Sequence, residues 1–433
     1  MISISSLTKR MITVTAFHYV SSFQKLSLVS ALVVPARTRQ FSCLFRNSHH
    51  RQLQKQQQQQ QPQHAGTTIF RSSTHDAATA NNNSCTNGSI VAGQEKEEQL
   101  IRNMLYRIRK CNEMPENLRS RIVDFQVDGC VLGKVDPKVA EILCSTKVTA
   151  GLSVFEMVTD KSKAYLTLSE EVAGTTVESR TQAVGGVMEE LRRTGIVTGW
   201  RDELYPISDS FYNPPVFLME RAATDLLGVL SYGVHINGIL PENDKNSNLP
   251  KMWMARRSKT KSKYPGMVDH IVAGGQPAGL GLMENVIKEC EEEAGIPPEL
   301  FARPDVDLRP AGVVSYQETI RCVIGDENNN KINGNQEEDD FNSFYQISRV
   351  VLFNYDLVLP QDFSPKPLDG EVDNFFLWNI DQIKESMAPD FEDPIKPNCY
   401  LVIIDYLMRM GFVSPEITGY LDVLKELKSG DCQ

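Results

Sequence analysis

Several absences narrow the reading of this chain before any motif does. Its 433 residues contain no run of about 18 apolar side chains, the length that a membrane-spanning helix requires, and stretches such as LVSALVVPA stop at half that. A membrane partner is therefore not expected. The nine cysteines stand singly, an odd number with no CxxC, which argues against a disulfide framework and against zinc-ribbon spacing. No internal repeat is visible. Acids are missing from Met1 to His75, where nine Lys or Arg occur. Against an overall charge of −10, this leaves the rest of the chain at −19. A body so acidic repels nucleic acid and anionic lipid.

The acid-free, Ser- and Arg-bearing start has the composition of an organelle transit peptide, for the mitochondrion or otherwise a plastid. If it were only a disordered tail, the protein would be cytoplasmic. KQQQQQQPQ and NNNSCTNGS follow, polar and of low complexity, so residues 1–92 are expected to lack a packed fold. The remainder is long enough for two domains. Residues 93–228 read as a small α+β domain. It opens with an amphipathic helix over Glu95–Lys110 and continues as strand, turn and helix over Phe125–Leu143. Two short strands, VFEMVT and AYLTLS, precede a helix over Arg180–Gly195. Residues 229–427 mix strands and helices as an α/β sandwich does. SYGVHINGIL and KMWMARRS read as strands, DGEVDNFFLWNI as a strand running into a helix start, and PNCYLVIIDYLMRMG as a helix. A polar, acidic insertion is expected at 325–343.

The chemistry concentrates in AGGQPAGLGLMENVIKECEEEAGIP. Residues i, i+3 and i+4 share a helix face, so Glu289, Glu292 and Glu293 crowd together and repel unless a cation lies between them. A hard, oxygen-seeking ion such as Mg²⁺, or Mn²⁺, suits three carboxylates and a phosphate substrate. The preceding glycines, Gly274 and Gly275 among them, allow a tight bend that presents N–H groups to a ligand. RRSKTKSK adds five cations, Arg256, Arg257, Lys259, Lys261 and Lys263, a candidate grip for a small-molecule diphosphate. Tyr264 is a candidate for stacking on a flat heterocycle. His270 is either a ligand contact or an ordinary core residue.

With these residues in view, the segment resembles a Nudix box, G-x5-E-x7-R-E-U-x-E-E-x-G-U, with Gly274 first and Gly295-Ile296 last. Two positions depart. Leu280 replaces the early Glu, leaving Glu284 as a substitute brace, and Lys288 replaces the Arg. The resemblance implies an α/β/α Nudix sandwich with a mixed sheet. It also implies metal ligation by Glu289, Glu292 and Glu293, with Glu292 or Glu293 doubling as base, and a further acid at Glu371 as a second candidate base. GKVDPKVAEIL, TGWRDELYPI, ERAATDLLGVLSYGVHINGIL, RRSKTKSKYPGMVDHIVAGG, DGEV and KPNCYLVIIDYL extend it over roughly 97–427. The whole is similar to a subfamily with an extra N-terminal domain, which includes plant organellar members and the Nudix half of a fungal thiamine pyrophosphokinase fusion. That subfamily implies hydrolysis of thiamine diphosphate or its oxidised forms to the monophosphate and phosphate. Within the small domain, Trp200, Arg201 and Glu203 become candidates to approach the substrate. ADP-ribose, dinucleotides or nucleotides are the alternative substrates. Isopentenyl diphosphate isomerase resembles the RRSKTKSKYPGMVDH stretch but needs a cysteine that MVDHIVAGG lacks. A non-catalytic nucleotide-binding Nudix domain is disfavoured by the intact glutamate set.

Overall fold

The computed structural model describes residues 84–148, 151–160, 163–242, 249–261, 263–323, 343–428 and 430. The expected transit segment, the glutamine tract and nearly all of the acidic insertion lie outside these residues. Helix α1 (Ser84–Cys111) starts earlier than the expected Glu95. In the small domain, β1 (Val123–Val127) and β2 (Cys130–Val135) form an antiparallel hairpin. The tight connection is Asp128-Gly129, both at positive φ, 54° and 79°, as a type I′ turn requires. The expected strand, turn and helix therefore resolves into two strands before helix α2 (Pro137–Ser145). Asp136 caps α2 and Pro137 occupies its first turn. Strands β3 (Phe155–Asp160) and β4 (Lys163–Leu168) complete a four-stranded sheet of order β2-β1-β4-β3. Helix α3 (Val177–Arg193) follows, and then a small β5–β6 ribbon (Leu204–Ile207 and Phe217–Glu220).

The second domain is built on a seven-stranded mixed sheet. Its long strands are β7 (Leu230–Leu240), β8 (Lys251–Arg257), β11 (Asp307–Val323), β12 (Ser343–Val358) and β13 (Val372–Asn379), in the order β11-β12-β7-β8-β13. Short strands β9 (Val268–His270) and β10 (Val272–Gly275) pair with β8 and β7. The β12–β7 pair is parallel and the others are antiparallel. Helix α4 (Leu282–Ala294) covers one face through Val286, Cys290 and Ala294, packed with Val234 and Ile236. Helix α5 (Pro397–Arg409) covers the other, with α6 (Tyr420–Glu426) beside it. This is the α/β/α sandwich expected.

α1 departs from the expected division of the chain. Leu100, Ile101, Met104 and Ile108 lie in one core with Leu401, Ile404 and Leu407 of α5, on the back of the larger sheet. Arg107 fixes the contact, donating to the Met387 carbonyl at 3.0 Å and stacking on Tyr400 with its guanidinium 4.2 Å from the ring centre. Conversely, Ile320, Cys322 and Phe344 at the far end of the β11–β12 ribbon are buried in the core of the small domain. The two domains thus share hydrophobic layers.

Candidate active site

β10 and α4 build the centre. Of the glycines expected to bend as a loop, Gly279, at φ +82°, makes the bend, whereas Gly274 and Gly275 are extended in β10, paired with Val234 and Gly233. What they provide is clearance. A Cβ on Gly274 would stand 2.5 Å from Glu289 Cγ and 2.7 Å from its Oε1. A Cβ on Gly275 would run into the Tyr205 hydroxyl and stand 3.1 Å from Arg221 Cζ. Successive residues of a strand face opposite ways. The glutamate helix and the small domain therefore approach β10 from its two sides.

The glutamates differ in environment. Glu293 is buried and accepts from the Ala273 N–H at 2.9 Å. Burial pushes its carboxyl well above the ordinary range, far enough to outweigh that hydrogen bond. Glu289, 15% exposed at its side chain, is raised by burial as well, against the pull of Lys288. Glu292 faces outward and pairs with Lys288 at 2.6 Å. Lys288 also reaches Glu289 at 3.4 Å, so the lysine in the arginine position braces two carboxylates. Glu284 closes on the Gly281 N–H at 3.0 Å and caps α4.

Beyond the helix, Glu293, Asp369 and Glu371 bring carboxylate oxygens within 4.8 Å of one another. Gly370, at φ +79°, allows the turn that brings Asp369 and Glu371 there. Asp369 escaped the sequence reading, although it lies in the same LDGEV stretch as Glu371. Burial works against the charge on Glu371, but the Lys261 ion pair outweighs it and holds that carboxyl below its usual value. Glu371 is therefore ionised at neutral pH while Glu293 resists ionisation. A cluster of hard oxygen donors, one of them a buried carboxyl with a single hydrogen-bond donor among the described residues, fits a divalent cation.

The five cations of RRSKTKSK are not gathered into one grip. Arg256 makes a bidentate pair with Asp393, at 2.6 and 2.5 Å, and donates to the Gly266 carbonyl. Arg257 pairs with Asp269 at 2.6 Å and donates to the carbonyls of Lys263 and Tyr264. Both guanidiniums brace the loop rather than await a phosphate. Lys263 pairs with Asp225 at 2.9 Å, and the Tyr264 hydroxyl donates to Glu318 instead of lying open for stacking. Lys261 reaches the carboxylate centre through Glu371, and Lys259 is exposed with no ion pair among the described residues. His270 is buried, its Nδ1 3.1 Å from His235 Nδ1 and near Cys399. Burial lowers the pKa of His270 to about 4, so it is an uncharged core residue.

The small domain also reaches the centre. Arg221 leads out of β6 and lies over Tyr205, 5.4 Å from the ring centre, with Nη1 2.8 Å from Glu203. The Leu204 carbonyl accepts from the Ala278 N–H at 3.1 Å, which ties β5 to the segment after Gly275. The charge on Arg221 is felt at both Glu289 and Glu371, and that on Arg201 at Glu371. Trp200 does not join them. Its indole N–H donates to Asp202, and its ring carries the Arg192 guanidinium at 4.7 Å.

A family model described as a domain of unknown function, DUF4743, matches residues 103–231. Nudix hydrolase 20, chloroplastic, of Arabidopsis thaliana is 36% identical over 326 residues, which cover 75% of this chain and 78% of that protein. Nudix hydrolase 24, chloroplastic, of the same plant is 41% identical over 255 residues, 59% of this chain and 61% of that one. Among solved structures, the Nudix domain of Shewanella oneidensis NrtR, complexed with ADP ribose, is 11% identical with a TM-score of 0.26. That match covers 41% of this chain and 87% of the other.

Proposed function

Because the chain belongs to the Nudix hydrolase family, pyrophosphohydrolases that use divalent metal ions, we propose that it cleaves thiamine diphosphate or its oxidised forms. The products would be the monophosphate and inorganic phosphate. The observation that carries a diphosphate-cleaving site is the approach of Glu293, Asp369 and Glu371 beside the strand on which Glu289 rests. The thiamine assignment is supported by the subfamily resemblance over residues 97–427. Mg²⁺ is the proposed ion, held by Glu289, Glu293 and the Asp369–Glu371 turn, with Glu292 at the outer edge. When bound, it supplies charge neutralisation at the phosphoryl oxygens and acidifies water.

The chain's own groups supply the rest. Water adds its oxygen to phosphorus, the bridging P–O bond breaks, and the bridging oxygen departs with the leaving phosphate. Glu371, already ionised, takes one proton of the attacking water and the other stays with the product. Lys261 holds Glu371 in place. Lys288 keeps Glu289 and Glu292 from driving each other apart. The two plant relatives are named chloroplastic, which supports the plastid alternative over the mitochondrion for the acid-free N-terminus.

The test is a panel of thiamine diphosphate, its oxidised forms, ADP-ribose, NADH and nucleoside triphosphates, each incubated with Mg²⁺ and followed for phosphate and monophosphate. Thiamine compounds should show the highest kcat/KM. A higher kcat/KM for ADP-ribose or a nucleotide would transfer the assignment to that substrate.

A further inference from the structure

Arg221 does not belong to the motif that defines the glutamate centre. It sits on the small domain, yet it lies against Gly275, where no side chain can stand. Its fixation is incomplete. Glu203 takes Nη1, and no hydrogen bond engages Nε or Nη2 among the described residues. Arg256 and Arg257 differ, since each satisfies both a carboxylate and backbone carbonyls. The Arg221 side chain remains 42% exposed. It is therefore anchored at one corner, with donors left over, against a strand that pairs only with β7 among the described residues and within electrostatic reach of Glu289 and Glu371. A guanidinium offers five N–H donors in a planar fork that matches phosphate oxygens two at a time.

We propose that Arg221 is a substrate-phosphate ligand contributed by the small domain, so that the diphosphate is held between the glutamate centre and β5–β6. This gives a region described only as of unknown function a share of the binding site. Tyr205, buried beneath the guanidinium, and Glu203 are its positioning residues. They aim the open edge of the fork without touching substrate. The proposal rests on the diphosphate-hydrolase reading above and adds the residue that completes the phosphate subsite.

The test uses the full chain with Mg²⁺ and imidodiphosphate, a diphosphate that resists hydrolysis, titrated by calorimetry, together with turnover of thiamine diphosphate. A charge-assisted hydrogen bond lost with its partner group should weaken imidodiphosphate binding about tenfold or more in Arg221→Gln. KM should rise by a similar factor with the thermal midpoint unchanged. In Arg221→Ala, millimolar guanidinium chloride should restore part of the lost turnover, whereas tetramethylammonium chloride at equal ionic strength should not. A merely structural arginine would lower the midpoint and show no such rescue. Wild-type binding and turnover alongside an unaltered Arg221→Gln would overturn this inference alone. A wild-type protein that neither binds imidodiphosphate nor hydrolyses any member of the panel would overturn it together with the hydrolase reading.

Discussion

Gly274→Ala probes the geometry of the glutamate centre without removing a charge. The new methyl would stand 2.5 Å from Glu289 Cγ. Unstrained carbon contacts settle near 3.5 Å, so the glutamate must retreat by about 1 Å. The strand cannot give way instead. Gly274 is paired with Val234 of β7, the adjacent Ala273 N–H is tied to Glu293 of α4, and Cys290 on that helix is fully buried. Overpacking of this kind costs about 1–3 kcal/mol of stability. A displacement of about 1 Å in a reacting constellation costs on the order of a hundredfold in rate. The variant should therefore remain folded, with a lowered melting point, while kcat falls roughly a hundredfold. Phosphate release from thiamine diphosphate at saturating Mg²⁺, run beside differential scanning calorimetry, separates the two effects. A soluble variant with normal kcat and normal Mg²⁺ dependence would refute the claim that Glu289 must lie against β10.

Two further perturbations address protonation. Glu293→Gln keeps an acceptor for the Ala273 N–H but removes a carboxyl whose ionisation is opposed by burial. Metal-free protein should then melt at the same temperature or higher, while turnover drops a hundredfold or more, on the order of 3 kcal/mol at the barrier. A clear fall in metal-free stability would contradict this account of the carboxyl. The His235–His270 pair titrates in the opposite sense. His270 has a folded value of about 4 against an ordinary 6.5, so between these values the unfolded chain binds a proton that the folded chain refuses. Stability is whole above pH 6.5 and declines as pH falls through that window. The loss is about 1.4 kcal/mol per pH unit, on the order of 3 kcal/mol by pH 4 from His270 alone. Urea denaturation from pH 7 to pH 4.5 should show this slope in the wild type and a flatter one in His270→Gln. Equal slopes would remove His270 as the cause.

Local pattern carried much of the architecture. β7, β8, β13 and α5 appear where alternation or helical periodicity places them, and the i, i+3, i+4 spacing of Glu289, Glu292 and Glu293 is legible without coordinates. What escaped depends on distant partners. Arg256 looks like a free cation within RRSKTKSK until Asp393, 137 residues later, occupies it. Asp369 gains meaning only when its turn meets Glu293. Arg221 lies in ERAATDLLG, a stretch that shares in the subfamily resemblance, but nothing in it assigns the arginine a role, because its significance comes from packing against Gly275. Of the glycines expected to bend, Gly274 and Gly275 are extended in β10 and needed for their missing side chains, whereas Gly279, at φ +82°, does make a turn. The helix after Pro137 stands where Pro137 places it, whereas the strand Cys130–Val135 is short and runs almost directly into that helix, which hides the Asp128-Gly129 hairpin.

The placement of α1 determines how the small domain is attached. The chain leaves the back of the larger sheet at Cys111, builds the small domain, and returns at Leu230 to start β7. The small domain is thus spliced into a circuit whose two ends are both fastened to the larger one. Tethering replaces a bimolecular search by an intramolecular one and sets a high effective concentration. Arg221 is consequently delivered to Gly275 at a local concentration independent of how much protein is present. Dilution should leave KM untouched, whereas scission between α3 and β5 would convert a first-order encounter into one governed by the association of two pieces.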